Sequence, residues 1–224
     1  MSRPRSAFFV EDLVESLLGD EVHDVTSLAR DFISPDVIDH VATIRDAFHD
    51  GGRVKHVVLS DVLKTSTARS VGRALDVARF QRHHHVPYRI DVAPLETLGH
   101  SRLLEFCAWL GTDDAAQFHG WLANWPARHA KQVQVARARR GDEFAVHVDT
   151  HEEGLAAVYN FTRGFTDADG GALYFPWEDR VELLVPPRFN TLALFRPRDA
   201  PHGVTRLTAA RGKTRFTVTA FFTA

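Results

Sequence analysis

Apolar residues recur at helical spacing through the first half of the chain, then switch to short alternating runs in the second. In SPDVIDHVATIRDAFHDGG, Val37, Val41, Ile44 and Phe48 fall on one helical face. Ser34 stands at the N-cap and Pro35 at the first helical position, where its missing N–H is no loss; Gly51 and Gly52 supply the stop. VKHVVLSDVL (54–63) predicts a strand running into a turn. TARSVGRALDVARF (67–80) returns to helical spacing through Val71, Leu75 and Ala78. SRLLEFCAWL and AAQFHGWLANW predict two further helices separated by GTDD, with Trp109, Trp121 and Trp125 as packing residues. From about Lys131 the chain reads KQVQVARA, EFAVHV, LAAVYNF, GALYF, VELLV, TLALF, GVTRL and TRFTVTAFF. Eight short strands broken by Gly, Pro and Asp predict an antiparallel sandwich or barrel.

No Pro/Ser-rich linker, internal repeat or low-complexity segment separates the halves. The expectation is one α+β domain over 1–224 with a mainly β core and helices packed on its outside. Residues 1–52 form an N-terminal helical extension, 53–130 a leading strand with supporting helices, and 131–224 the β core that carries the site.

Composition narrows the function classes. At 224 residues, 44% apolar, the chain can bury a sizeable core. A formal charge of -2 gives no push toward nucleic acid or an anionic membrane. The local basic clusters ARARR (136–140) and FRPRD (195–199) read as solvated strand edges and loops. Cys107, the one cysteine, excludes an intramolecular disulfide and reads as a small buried hydrophobe. MSRPRSAFFVEDLV meets charge after four apolar residues, too few for a signal sequence. No run approaches the ~18 apolar residues of a membrane span, so a cytoplasmic setting is expected.

The chemistry starts at FAVHVDTHEEG (144–154). On a strand, His147 and Asp149 point the same way, with Val148 opposite. Alone, His-x-Asp is a weak signal. His202 follows 53 residues after Asp149, behind TLALF and the turn-forming RPRDAP, at the start of the strand HGVTRL. Two histidines and a carboxylate from two strands make a facial triad that leaves coordination positions open, as an Fe(II) oxygenase needs. Arg215 lies 13 residues beyond His202, with Thr217 on the same face of its strand. If that strand lies beside the strand of His202, Arg215 can project into the barrel behind the metal. A buried arginine needs an anion, and its fork matches a carboxylate bidentately. A dicarboxylic 2-oxo acid meets both demands, chelating a metal at one end and the arginine at the other.

His-x-Asp, a later histidine and Arg-x-Thr together resemble the Fe(II)/2-oxoglutarate dioxygenases, specifically their prolyl-hydroxylase-like branch. DGGALYF (169–175), PPRFNTLALFRPRDAPHGV (186–204) and VKHVVLSDVL (54–63) are similar to stretches of that branch. The resemblance covers about 53–222 and is most specific from 131 onward. It implies a double-stranded β-helix (jelly-roll, cupin-like) core, with His147, Asp149 and His202 on Fe(II) and Arg215 on the C5 carboxylate of 2-oxoglutarate. The implied reaction uses O2, with ascorbate as a candidate reductant. It decarboxylates 2-oxoglutarate to succinate and CO2 while hydroxylating a substrate C–H bond. Related halogenases replace the carboxylate by a small residue, so Asp149 disfavours halogenation. The family commonly has a tyrosine touching 2-oxoglutarate on the next strand; here Tyr159 and Asn160 both stand near that place and face opposite ways. Arg211 and Lys213 compete with Arg215 as anchor, and alternation with Thr217 favours Arg215.

The expected substrate is a small molecule such as an amino acid or natural-product intermediate; a peptidyl or protein side chain is the alternative. A metal-binding cupin-like protein without 2-oxoglutarate leaves Arg215 unexplained. The closing pattern of nucleic-acid demethylases is absent from RFTVTAFF. His83, His84 and His85 are three adjacent side chains that do not converge on one ion, and read as a solvated or interfacial loop. His151 reads as loop rather than fourth ligand, and DADGG (167–171) as a turn rather than a calcium loop. Arg163, Phe165 and Trp177 are candidate substrate contacts, as are Arg137 or Arg139 for an acidic substrate.

Overall fold

The computed structural model describes residues 29–49, 52–85, 88–99, 101–149, 154–178 and 180–224. Most of the expected N-terminal extension, Gly51 and His151 therefore lie outside the described residues. Pro35 opens α1 (Pro35–Asp39) as expected, but α2 (Val41–His49) is a separate helix. The break is at His40 (φ −112°, ψ 19°), whose ring Nδ1 bonds the Asp36 carbonyl at 2.7 Å. Ser34 takes the N-cap position without a side-chain cap bond. β1 (His56–Ser60) leads into α3 (Thr65–Val77), which buries Ala68, Val71 and Leu75; Ala78 is already extended, as its C-cap. α4 (Arg102–Leu110) and α5 (Asp113–Leu122) are capped by the Ser101 and Thr112 side chains, which accept from Leu104 and Ala115 N–H.

All eight strands expected beyond residue 131 form. They are β4 (His129–Ala138), β5 (Phe144–His147), β6 (Leu155–Asn160), β7 (Leu173–Trp177), β8 (Arg180–Val185), β9 (Thr191–Phe195), β10 (His202–Val204) and β11 (Arg215–Thr223). Two more were not foreseen. β2 (Gln81–His85) and β3 (Tyr88–Ala93) make a hairpin from QRHHH and YRIDVA, so the histidine run lies on a strand, not in a loop. β2 pairs with β3 alone and has no apolar residue to alternate, which is why its pattern gave no strand signal.

The strands follow one antiparallel path, β1-β9-β6-β11-β4-β3-β5-β10-β7-β8. It folds over between β3 and β5 into two facing layers, the jelly-roll expected. Between the layers, Ala156, Ala193 and Phe195 of one meet Leu173, Phe175 and Val185 of the other. The outer face of the larger layer carries Ala157, Tyr159, Leu192, Leu194, Val218 and Phe222, which pack with Val71, Phe106, Leu110 and Phe118 of the helices. β6 and β9 are thus covered on both faces and read as unbroken apolar runs. Among the described residues no helix is long and apolar enough to cross a membrane.

Candidate metal centre and anion pocket

β5 and β10 are antiparallel neighbours, and their register sets His202 directly opposite His147. The two rings lie 4.4 Å apart, centroid to centroid. Asp149, two residues on and just past the end of β5, reaches His147 Nε2 at 3.4 Å and His202 Nε2 at 3.6 Å. One ligand atom from each residue lies within 4.8 Å of the others. Each Nδ1 faces the carbonyl two residues back, Ala145 for His147 and Ala200 for His202, both at 2.9 Å. Those carbonyls accept from Nδ1 and leave both Nε2 atoms directed at the carboxylate. This tautomer, fixed by an outer partner, is the one a metal takes.

The electrostatics agree. Burial pulls His147 down, but the Asp149 carboxylate and the Ala145 carbonyl outweigh it and leave its pKa raised. Burial acts against the Asp149 carboxylate, yet the two imidazoles hold its pKa below the ordinary value. His202, the most enclosed, is lowered by desolvation. Phe195 and Phe175 flank it at 5.0 and 6.0 Å. Two nitrogens and a carboxylate oxygen converge from one side, a donor set that suits a borderline divalent ion such as Fe(II).

Arg215 stands on β11, which pairs with β4 and β6. The condition that this strand lie beside that of His202 is not met: β10 pairs with β5 and β7. Arg215 nonetheless enters the interior because the layers face each other. Its side chain is 5% exposed, and its Nε has no hydrogen-bond partner among the described residues. Desolvation alone pushes its pKa down to about 10, with no carboxylate to hold it up. Gly171 (φ +74°) makes room beside it, since a Cβ there would lie 3.2 Å from Arg215 Cδ. Its rivals are occupied elsewhere: Lys213 Nζ bonds Asp169 at 2.8 Å, and Arg211 is exposed.

Register also separates Tyr159 from Asn160. Thr217 is opposite Asn160, which is opposite Thr191, so these three buried polar side chains share the inner face with Arg215. Asn160 Oδ1 has no hydrogen-bond partner among the described residues. Tyr159 faces the helices instead, 1% exposed, its hydroxyl 2.7 Å from His119 Nε2. It belongs to the outer core and does not line the pocket, because adjacent residues on a strand point to opposite faces.

Other candidates are placed away from the centre. Arg137 and Arg139 bind buried Asp91 at 2.7 and 2.8 Å, and Arg82 joins Asp91 to Asp142. Arg163 pairs with Asp76 at 2.9 Å and packs on the Phe189 ring beside Gly72, on the helical side. Phe165 packs with Ala138, Val204 and Leu207 near the Arg215 end, and Trp177 lies under the Arg53 guanidinium. His83 is exposed. DADGG is a 3-10 turn closed by Thr166 and Asp169. Cys107 is buried, its thiol pushed up to about 12, and is no nucleophile. The Asp91 network went unnoticed in the sequence; the signal was a lone aspartate interrupting the apolar IDVA.

Residues 133–223 match the model of the 2OG-Fe(II) oxygenase superfamily. No curated protein matches the chain in sequence. Among solved structures, a prolyl-4-hydroxylase from Pseudomonas putida is similar at TM-score 0.64 and 16% identity, over 82% of this chain and 98% of that one. A prolyl hydroxylase from Trichoplax adhaerens, solved with a peptide fragment of the hypoxia inducible factor oxygen degradation domain, aligns at TM-score 0.63 and 16% identity, over 82% and 88%. SnoN, the non-heme alpha ketoglutarate dependent epimerase of nogalamycin biosynthesis, aligns at TM-score 0.61 and 16% identity, over 81% and 82%.

Proposed function

We propose that this chain, an oxygenase of the 2OG-Fe(II) superfamily by its residues 133–223, hydroxylates an unactivated C–H bond of a small molecule. As such an enzyme it uses Fe(II), 2-oxoglutarate and O2. With the iron bound, 2-oxoglutarate is decarboxylated to succinate and CO2, and one oxygen atom of O2 enters the substrate.

His147 and His202 would hold the ion through Nε2 and Asp149 through a carboxylate oxygen, three protein ligands as in the facial triads of Fe(II) oxygenases. The Ala145 and Ala200 carbonyls orient the two rings. Arg215 would take the C5 carboxylate of 2-oxoglutarate in its fork, with Asn160 and Thr217 beside it. Phe175 and Phe195 exclude water around His202. The helices and larger sheet layer share one apolar cluster, which supports reading the described residues from 29 onward as a single domain.

The observation that carries the reading is Arg215. A buried guanidinium without a protein anion is costly, and it stands in the barrel that gathers two histidines and a carboxylate. The test is a screen of small molecules with the Fe(II)-loaded protein and 2-oxoglutarate, following succinate and a product heavier by one oxygen atom. Turnover only on peptides would replace the small-molecule reading by the peptidyl one. The peptide fragment bound by the Trichoplax neighbour favours that second reading.

A further inference from the structure

The core between the larger layer and the helices buries a hydrogen-bonded acid–base pair that the iron chemistry leaves unused. Tyr159 is 1% exposed and His119 fully buried, with the phenol oxygen 2.7 Å from His119 Nε2. His119 Nδ1 is 2.6 Å from the Ala115 carbonyl, which only accepts, so the ring proton sits on Nδ1. Burial lowers the His119 pKa to about 4, which leaves the ring neutral and Nε2 an acceptor. Tyr159 therefore donates its phenolic hydrogen to His119.

This arrangement suits one-electron oxidation of the phenol. Loss of an electron alone would leave a cation on a buried ring, at a large desolvation cost. His119 removes that charge from the phenol by taking its proton. The imidazolium so formed stands in the last turn of α5, where the carbonyl end of the helix dipole favours positive charge. Its Nδ1–H keeps the Ala115 carbonyl as partner. Trp109 is the contrasting case. Its ring lies 5.8 Å from that of His119, yet its buried Nε1 has no hydrogen-bond partner among the described residues, and so no base to take its proton. Oxidation is thereby directed to Tyr159. The next residue on β6, Asn160, shares the inner face with Arg215, so one thickness of backbone separates the phenol from the barrel.

We infer that Tyr159 and His119 are a proton-coupled electron donor to the iron centre, used when O2 and 2-oxoglutarate react there with no substrate bound. The phenol O–H bond breaks, an N–H bond forms on His119 Nε2, and one electron passes to the oxidised iron centre. Tyr159 becomes a neutral phenoxyl radical, His119 gains one positive charge, and the iron centre is reduced by one electron. The oxidising power would otherwise fall on the rings beside the site, those of Phe175, Phe195 and His202. This rests on the iron and 2-oxoglutarate reading of the same site and adds a protective function to it.

The chain has three tyrosines, so the double variant Tyr88→Phe/Tyr174→Phe leaves Tyr159 alone. Loaded with Fe(II) and 2-oxoglutarate and given no substrate, it is mixed with O2 and frozen at intervals for EPR. Succinate and a tyrosyl radical should appear together, and high-field spectra should show the radical oxygen accepting a hydrogen bond. Adding Tyr159→Phe should abolish the radical and raise oxidation of the site's own residues, read by peptide mass spectrometry. Succinate without a tyrosyl radical overturns the inference, as does a charge-transfer band from Fe(II) and 2-oxoglutarate with no succinate. A radical oxygen that accepts no hydrogen bond removes His119 from it, and unchanged oxidation of the site in the Tyr159→Phe protein removes the protective function. Absence of the charge-transfer band itself contradicts the iron and 2-oxoglutarate reading beneath it.

Discussion

Arg215 occupies a place where a guanidinium is unstable unless something anionic arrives. Replacing it should therefore separate stability from binding. Arg215→Met keeps the volume and removes the desolvation cost, so the ligand-free protein should unfold at equal or higher denaturant, gaining about 1–3 kcal/mol. The same change should weaken 2-oxoglutarate binding about 100-fold while Fe(II) affinity holds. If Arg211→Ala, rather than Arg215→Met, weakens 2-oxoglutarate in a calorimetric titration, the anchor is misassigned. His119 gives a second prediction at this scale. It is fully buried, its Nδ1 is 2.6 Å from the Ala115 carbonyl, and Tyr159 meets its Nε2. Burial lowers its pKa to about 4 from an unfolded value near 6.5. The unfolded chain thus binds this proton first as pH falls, and stability is lost from about pH 6.5 down to about 4, by about 3 kcal/mol. Denaturant midpoints across that range should be flatter for His119→Gln than for the parent.

At the scale of elements, the buried charges on β3 and β4 and the close approach at the turn before β7 carry structure into the site. Asp91 is 1% exposed and accepts from Arg82, Arg137 and Arg139, tying β2, β3 and β4 together. Because the arginines are partly solvated, Asp91→Ala should cost about 2–3 kcal/mol, less than a fully enclosed network would. Equilibrium unfolding measures this, and a loss below about 0.5 kcal/mol would show the network to be surface ornament. Gly171 acts differently. An alanine there meets both a left-handed backbone and the Arg215 and Leu207 side chains. Gly171→Ala should lower stability by about 1–2 kcal/mol and weaken 2-oxoglutarate binding as well. Loss of stability with unchanged affinity would mean that the glycine serves the turn alone.

At the scale of the molecule, the two-layer core was legible because most strands beyond residue 131 bury apolar residues on one face or on both, and leave alternating or unbroken apolar runs as the imprint; β5 and β8, largely exposed, are the exceptions. His147, Asp149 and His202 could be expected together for the same reason: strand parity fixes facing, and hydrogen-bonded register does the rest. Parity also placed Arg215 and Thr217 inside. It could not show that β11 sits among β4 and β6 rather than beside β10, since neighbour order is set by long-range pairing. Tyr159 and Asn160 could not be ranked from the sequence because β6 is covered on both faces, so both residue types fit a buried strand. The β2–β3 hairpin was missed because a polar edge strand leaves no apolar trace. The break at His40 was invisible because it turns on one side chain bonding one carbonyl.

The central claim is that one barrel holds an iron ion on His147, Asp149 and His202 and a 2-oxo acid against Arg215. The most direct measurement is anaerobic titration of the protein with Fe(II) and then 2-oxoglutarate, watching the visible spectrum for the weak metal-to-ligand charge-transfer band. The band should grow to saturation in the parent protein, vanish in His202→Ala, and need far higher 2-oxoglutarate in Arg215→Met. A parent protein that binds Fe(II) yet develops no band at any 2-oxoglutarate concentration would contradict the account.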